Sequence, residues 1–511
     1  MAIQPDGHLP PGPPRSRTET GHRTRGGGRA QHARNALWGG RGRIVLGAGL
    51  ALAGAAYGMG TALGLPVTGS TSTSASTSTS TSASASASAP ADGGGVRAYD
   101  VADYDVKVTY DPQSSRLEGD TEIAVRATAD LERFDLDLAL TARSVDIDGK
   151  PAQGFETSDD GSLGVVPEEK IEKGRTFTVR VRYDGEPGQD NPSWVKGEDG
   201  GVVTVMAPVG TWFPGNGDPD DTADFRLSAT VPDGWTVVSG GRDRPVEHHG
   251  GRSTFDWRST RPLAAKDALF GVGKWDVERT ELSDGTPLTT VYSAGRKDEF
   301  KKYAGQQRKI MDFLTSKYGA YPYDTLVSYF LDSVSEEVPN LAVQGGVIFP
   351  NAENEKYFDA TVVAHELTHQ WYGSLVKERE QRNLCLSECF ASYAQWMWPE
   401  FSEGQDLDAK YRQEIEKHPS DDELWQQRLS EGQGVYDKGP LMLHALRKQL
   451  GEAAFAEVLK QWPAEYGGKA PEWADMEKLV QKVSGQDLRG FFDVWAHGDS
   501  IPGDAHLRPG D

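Results

Sequence analysis

The chain has 511 residues and a formal net charge of −22. That length is enough for two or three domains, and an acidic body of this size argues against nucleic acid as a partner. Two cysteines, Cys385 and Cys389, are too few for a disulfide framework; their spacing reads as small buried packing residues.

In chain order, residues 1–43 form an Arg-rich arm. Eight arginines against Asp6 and Glu19 give it +6, which leaves −28 for the rest of a chain totalling −22. Residues 44–67 are uncharged and rich in Ala, Gly and Leu. This run is closer to the ~20 residues of a spanning helix than to the usual ~7–15 of a signal core. The expectation is therefore a single-pass membrane anchor, with the Arg-rich arm cytoplasmic and the rest outside. Cleavage of the segment would instead give a secreted protein. Residues 68–95 are a Ser/Thr/Ala-rich flexible stalk, unable to bury a core.

Residues 96–283 read as a β domain. Tyr104 to Tyr110 alternates apolar and polar, and Thr121–Ala127, Phe134–Leu138, Thr176–Tyr183 and Phe225–Val231 repeat the style between turn residues. Evenly spaced short strands predict a β-sandwich or saddle. Residues 284–505 then turn helical, with amphipathic stretches at 300–318, 438–450, 452–461, 475–483 and 488–495. Strands followed by helices without regular alternation predict an α+β multidomain chain, its second domain mainly helical. The loop 216–221 is acidic, but Asp and Gly are ordinary turn residues, so calcium is the weaker reading there.

The chemistry lies in His365-Glu366-Leu367-Thr368-His369, followed 19 positions later by Glu388. On a helix capped by Asp359 and running over 360–376, the two histidines lie one turn apart and leave the same face. Glu366 stays within reach of a water there. A second helix over 384–398, ended by Pro399, carries Glu388 beside an apolar stripe. Two His and one Glu with an open fourth position form the ligand set of a hydrolytic zinc, not a structural one. Cys385 and Cys389 flank Glu388 and offer a sulfur alternative, against which packing is the stronger reading. The metzincin pattern is excluded because it needs glycine at 372 and histidine at 375, where this chain has Tyr372 and Leu375. His418 and His444 read as a loop residue and a packing residue, and Glu378 to Glu380 as a solvated connection.

His365 to Trp371, the spacing to Glu388 and Leu386 to Tyr393 resemble the zinc site of the aminopeptidase N family, gluzincins that include leukotriene hydrolases. Further likenesses are Trp212-Phe213-Pro214, Tyr318 to Tyr323 and Val435-Tyr436-Asp437-Lys438-Gly439. The resemblance spans about Tyr99 to Pro502, without the large C-terminal helical domain of longer members. It implies a thermolysin-like catalytic domain behind a β saddle. It also implies one Zn2+ held by His365, His369 and Glu388. Glu366 would move the proton from the attacking water to the leaving amine, and Tyr436 would donate to the tetrahedral oxyanion.

One segment departs from the family. Where a glutamate that binds the substrate's α-amino group is expected, the chain has Gln344, followed by Gly345 and Gly346, which become tentative substrate-binding residues. A neutral amide lacks the charge that makes hydrogen bonds roughly twice as strong. The expected function is a zinc metallopeptidase acting on peptides, foremost an aminopeptidase. An endopeptidase or amidase without a free-amine requirement is the alternative, and a non-catalytic binding module a third.

Overall fold

The computed structural model describes residues 97–509 apart from 159–160, 189–193, 198–199, 205–208, 219, 333–339, 354–357 and 379. The Arg-rich arm, the apolar run and the stalk all lie outside the described residues. The expected membrane anchor, and the extracytoplasmic placement that depended on it, are corrected. No described helix is long and apolar enough to cross a membrane. The sequence of the run itself also weighs against it, because residues 44–67 contain six glycines, each costing about 1 kcal/mol relative to alanine inside a helix.

The largest sheet places its main strands in the order Arg252–Arg258, Thr222–Pro232, Tyr99–Asp111, Arg116–Ala127, Thr176–Gly185, Thr141–Ile147. Pairing is antiparallel except between Tyr99–Asp111 and Thr222–Pro232, which run parallel with Tyr104 opposite Phe225. Period-2 patterning explains the layer: Tyr104, Val106, Val108 and Tyr110 are buried on one face, while alternate residues meet solvent. The buried face closes on an aromatic group in which Trp212 stacks on Phe270 at 4.9 Å and Phe213 meets Tyr104 edge-on at 5.6 Å.

A five-stranded sheet links this layer to the helices, in the order Asp276–Glu281, Pro287–Tyr292, Leu326–Phe330, Gly346–Phe349, Leu341–Val343. Tyr329 joins it to the β layer through its hydroxyl, which donates to the Val238 carbonyl at 2.8 Å. Its edge hairpin turns on Gln344 and Gly345, and Gly345 has φ +71°, a conformation that favours glycine.

The helices Gln307–Tyr318, Ala360–Thr368, Glu388–Glu403, Lys438–Leu450, Glu452–Tyr466 and Trp473–Ser484 share one apolar core. The amphipathic stretch at 300–318 is two helices rather than one, Lys297–Ala304 and Gln307–Tyr318, parted at Gly305. The helix that carries His365 stops at Thr368, with His369 as its C-cap, short of the expected 376. Gly373 at φ +126° turns the chain there, and Tyr372 pairs with Val376. The second metal-site helix begins at Glu388, after a 3-10 turn over Gln381–Leu386. It also runs through Pro399 to Glu403 and ends on Gly404 in the left-handed region.

Candidate metal centre

Asp359 caps the first helix by accepting hydrogen bonds from the Thr361 and Val362 amides at 2.7 and 3.3 Å. Val363, Ala364 and Leu367 bury one side of this helix and so direct His365, Glu366 and His369 to the other. The second helix lies alongside, with the Phe390 ring stacked on Tyr372 at 4.5 Å. This packing delivers Glu388 to the two histidines.

Three atoms converge there. His365 Nε2 lies 3.2 Å from His369 Nε2 and 3.2 Å from Glu388 Oε2, while His369 Nε2 lies 3.5 Å from the same oxygen. Tetrahedral zinc with ligand bonds of ~2.0–2.1 Å sets its ligand atoms about 3.3 Å apart, so the triangle fits the ion. Glu388 Oε2 is buried and has no hydrogen-bond donor among the described residues, as a ligand oxygen requires. The other ring nitrogens are engaged: His365 Nδ1 faces Gln395 Oε1 at 3.2 Å and His369 Nδ1 faces the Tyr372 carbonyl at 2.9 Å. With Nδ1 as donor in each ring, both Nε2 lone pairs point to the ion. Among the described residues this is the only metal-competent cluster.

The electrostatics also favour a cation. Burial alone would lower His369, but the Glu388 carboxylate outweighs it and holds the imidazole up to about 10. Glu388 itself faces a burial penalty that the His369 and His365 rings overcome, leaving its carboxyl well below the usual range. Burial pushes Glu366 up, and both imidazoles pull it back. The Tyr436 ring lies 6.3 Å from that of His365, near parallel to it, and burial together with the Glu388 and Glu366 carboxylates raises its phenol. The phenol therefore keeps its proton and remains a donor.

The hairpin of Gln344, Gly345 and Gly346 reaches this centre through a residue that sequence reasoning missed. Gln370, next to His369, accepts from the Gly345 amide at 3.0 Å and donates to the Val343 and Gly346 carbonyls at 3.0 Å each. Gln344 instead donates its side-chain amide to the Pro262 carbonyl at 3.2 Å.

Two other expectations change. Cys385 and Cys389 are neither ligands nor free packing residues but a disulfide, made possible because the 3-10 turn brings their Cα atoms to 4.7 Å. Glu378 is not a solvated connector; it accepts from the Ser387 hydroxyl at 3.0 Å and buries its other oxygen, which raises its carboxyl. The acidic loop spends its groups internally, Asp221 accepting from the Val101 amide and from Asn216. His444 is held between Tyr393 and Asp408 at 3.1 and 3.0 Å.

Residues 347–495 match the peptidase family M1 domain. Aminopeptidase M1-B of Oryza sativa subsp. japonica is 22% identical over 450 residues, covering 78% of this chain and 50% of that protein. Probable aminopeptidase 1 of Saccharolobus solfataricus is 24% identical over 404 residues, covering 71% and 49%. Among solved structures, a mutant M1 zinc metallopeptidase of Deinococcus radiodurans bound to a Tyr-Ser-Ala substrate superposes with a TM-score of 0.67 at 25% identity, covering 80% of this chain and 96% of that one. In these matches the chain resembles the aminopeptidase N family of gluzincins. It spans half or less of the length of the first curated relatives it matches, for instance 36% of Aminopeptidase M1-C. Its order, β-rich then helical, matches that of the two-domain M1 metallopeptidase structures, and zinc is the metal its ligand set fits.

Proposed function

We propose that the protein is a zinc-dependent metallopeptidase that removes N-terminal residues from peptides. The observation that carries this reading is the triangle of His365, His369 and Glu388 atoms with Glu366 beside it and Tyr436 against His365. Zinc there supplies Lewis acidity, which lowers the pKa of water and polarises the scissile carbonyl. Glu366 takes the proton of the attacking water and passes it to the leaving amine. Tyr436 donates to the oxyanion as it forms, an interaction worth roughly 10²–10³ in rate.

Exopeptidase action is supported by the names of the curated relatives and by the tripeptide described as a substrate of the Deinococcus protein. One observation favours a second reading, an endopeptidase or amidase: Gln344 is neutral and its amide is already engaged at Pro262. A matched pair of peptides, one with a free amine and one N-acetylated, separates the two. The proposal expects the free-amine peptide to have the higher kcat/KM by at least tenfold. Equal cleavage of both removes the aminopeptidase assignment and leaves the zinc peptidase.

A further inference from the structure

Glu388 is an insecurely placed ligand by the ordinary rules of helix structure. It is the first residue of its helix, where backbone groups lack intrahelical partners and ends fray. Ser387, in the N-cap position, makes no capping bond; its hydroxyl donates to Glu378 and its φ and ψ are −109° and −60°. The turn before it is 3-10, a geometry used in short pieces with poorer hydrogen bonds. Across this junction runs the one covalent link, from Cys385 to Cys389, both fully buried. It encloses Glu388.

The same junction is the seat of the segment that carries Tyr436. At one end of that segment, a Cβ on Gly432 would meet the Gln381 carbonyl oxygen at 1.9 Å. At the other, a Cβ on Gly439 would meet Cys389 Sγ at 2.5 Å. The segment therefore rests on the 3-10 turn and on the disulfide, with no room for a side chain at either contact. Lys438 anchors it from behind, donating to the Trp425, Gln427 and Gly498 carbonyls.

We infer that the Cys385–Cys389 disulfide is a positioning device that fixes Glu388 for the metal and sets Tyr436 against it. The half of the inference concerning Glu388 concerns metal binding alone; the half concerning Tyr436 rests on the peptidase reading. Two preparations test it. One is the Cys385→Ala/Cys389→Ala variant. The other is the wild-type chain reduced with a trialkylphosphine, which takes the oxygen of one water to become its oxide while its two electrons and that water's two protons convert the disulfide to two thiols, and then freed of reductant. Two titratable thiols per chain verify the reduction, and it keeps every side chain, so it serves if the variant fails to fold.

Zinc affinity is measured by competition with a chromophoric chelator, and kcat and KM on a free-amine peptide. The inference expects zinc to bind at least tenfold more weakly in both preparations, with kcat lowered and KM within about twofold. Weaker zinc binding in a protein that shows no peptidase activity in any form upholds the Glu388 half while removing the peptidase reading. Zinc affinity within twofold of the oxidised protein, in preparations that melt earlier, overturns the inference and makes the disulfide a stabilising link only.

Discussion

The side chain of Gln370 holds the backbone of Gly345: its Oε1 accepts the Gly345 amide proton at 3.0 Å, and its Nε2 bridges the carbonyls on either side of that turn. The residue after the second metal-site histidine is thereby tied to the tip of the edge hairpin. Sheet edge and metal helix form one unit.

Replacing Gln370 by alanine removes three buried hydrogen bonds, those to the Gly345 amide and to the Val343 and Gly346 carbonyls. The expected loss is about 2–4 kcal/mol of stability, from three buried hydrogen bonds. Because the hairpin loosens while the ligands stay, KM should rise more than kcat falls. Denaturant unfolding together with steady-state kinetics checks both.

Gln395 is placed to act, through His365, on a metal bound at the proposed site. Its Oε1 accepts a hydrogen bond from His365 Nδ1–H and so fixes the ring and its tautomer. Gln395→Ala is expected to weaken zinc binding by roughly 10–100-fold with little change in fold, the usual range for such partners. Chelator competition and far-UV circular dichroism check the two halves.

Tyr436→Phe removes only the phenolic hydroxyl. The expected outcome is a kcat lower by about 10²–10³ at unchanged zinc content, the scale of one oxyanion donor. Metal analysis beside the kinetics distinguishes this from loss of the ion.

Lys438 makes a pH prediction. It is buried against three carbonyls, and burial pushes its pKa down to about 8, with Asp499 pulling the other way. An unfolded lysine titrates near 10.4, so between about 8 and 10.4 the unfolded chain binds more protons than the folded one. The cost of burying the charge is full below pH 8 and is relieved as pH rises through that window. Measured against Lys438→Met, wild-type stability should therefore gain from pH 8 to 10.4. Thermal melts of the pair across that range test it.

Much of the site is legible in the sequence because short-range rules decide it. His365 and His369 are placed by helical spacing, Asp359 by capping, and the strands Tyr99–Asp111 and Thr222–Pro232 by alternation. What escapes is set by long-range polar partners. Gln370 and Gln395 look like ordinary surface glutamines until the fold brings Gly345 and His365 to them. The disulfide escapes because it depends on a 3-10 turn that helical periodicity does not reveal. Pro399 misleads as a helix stop because its kinking cost is met by a helix buried on Met397 and Trp398.

The central claim is that His365, His369 and Glu388 hold a zinc ion on which Glu366 works as the base. Its most direct measurement is turnover of Glu366→Gln beside its zinc content. One zinc per chain is expected, as in the wild type, with kcat reduced by at least 10³-fold. A variant that retains both zinc and wild-type turnover would contradict it.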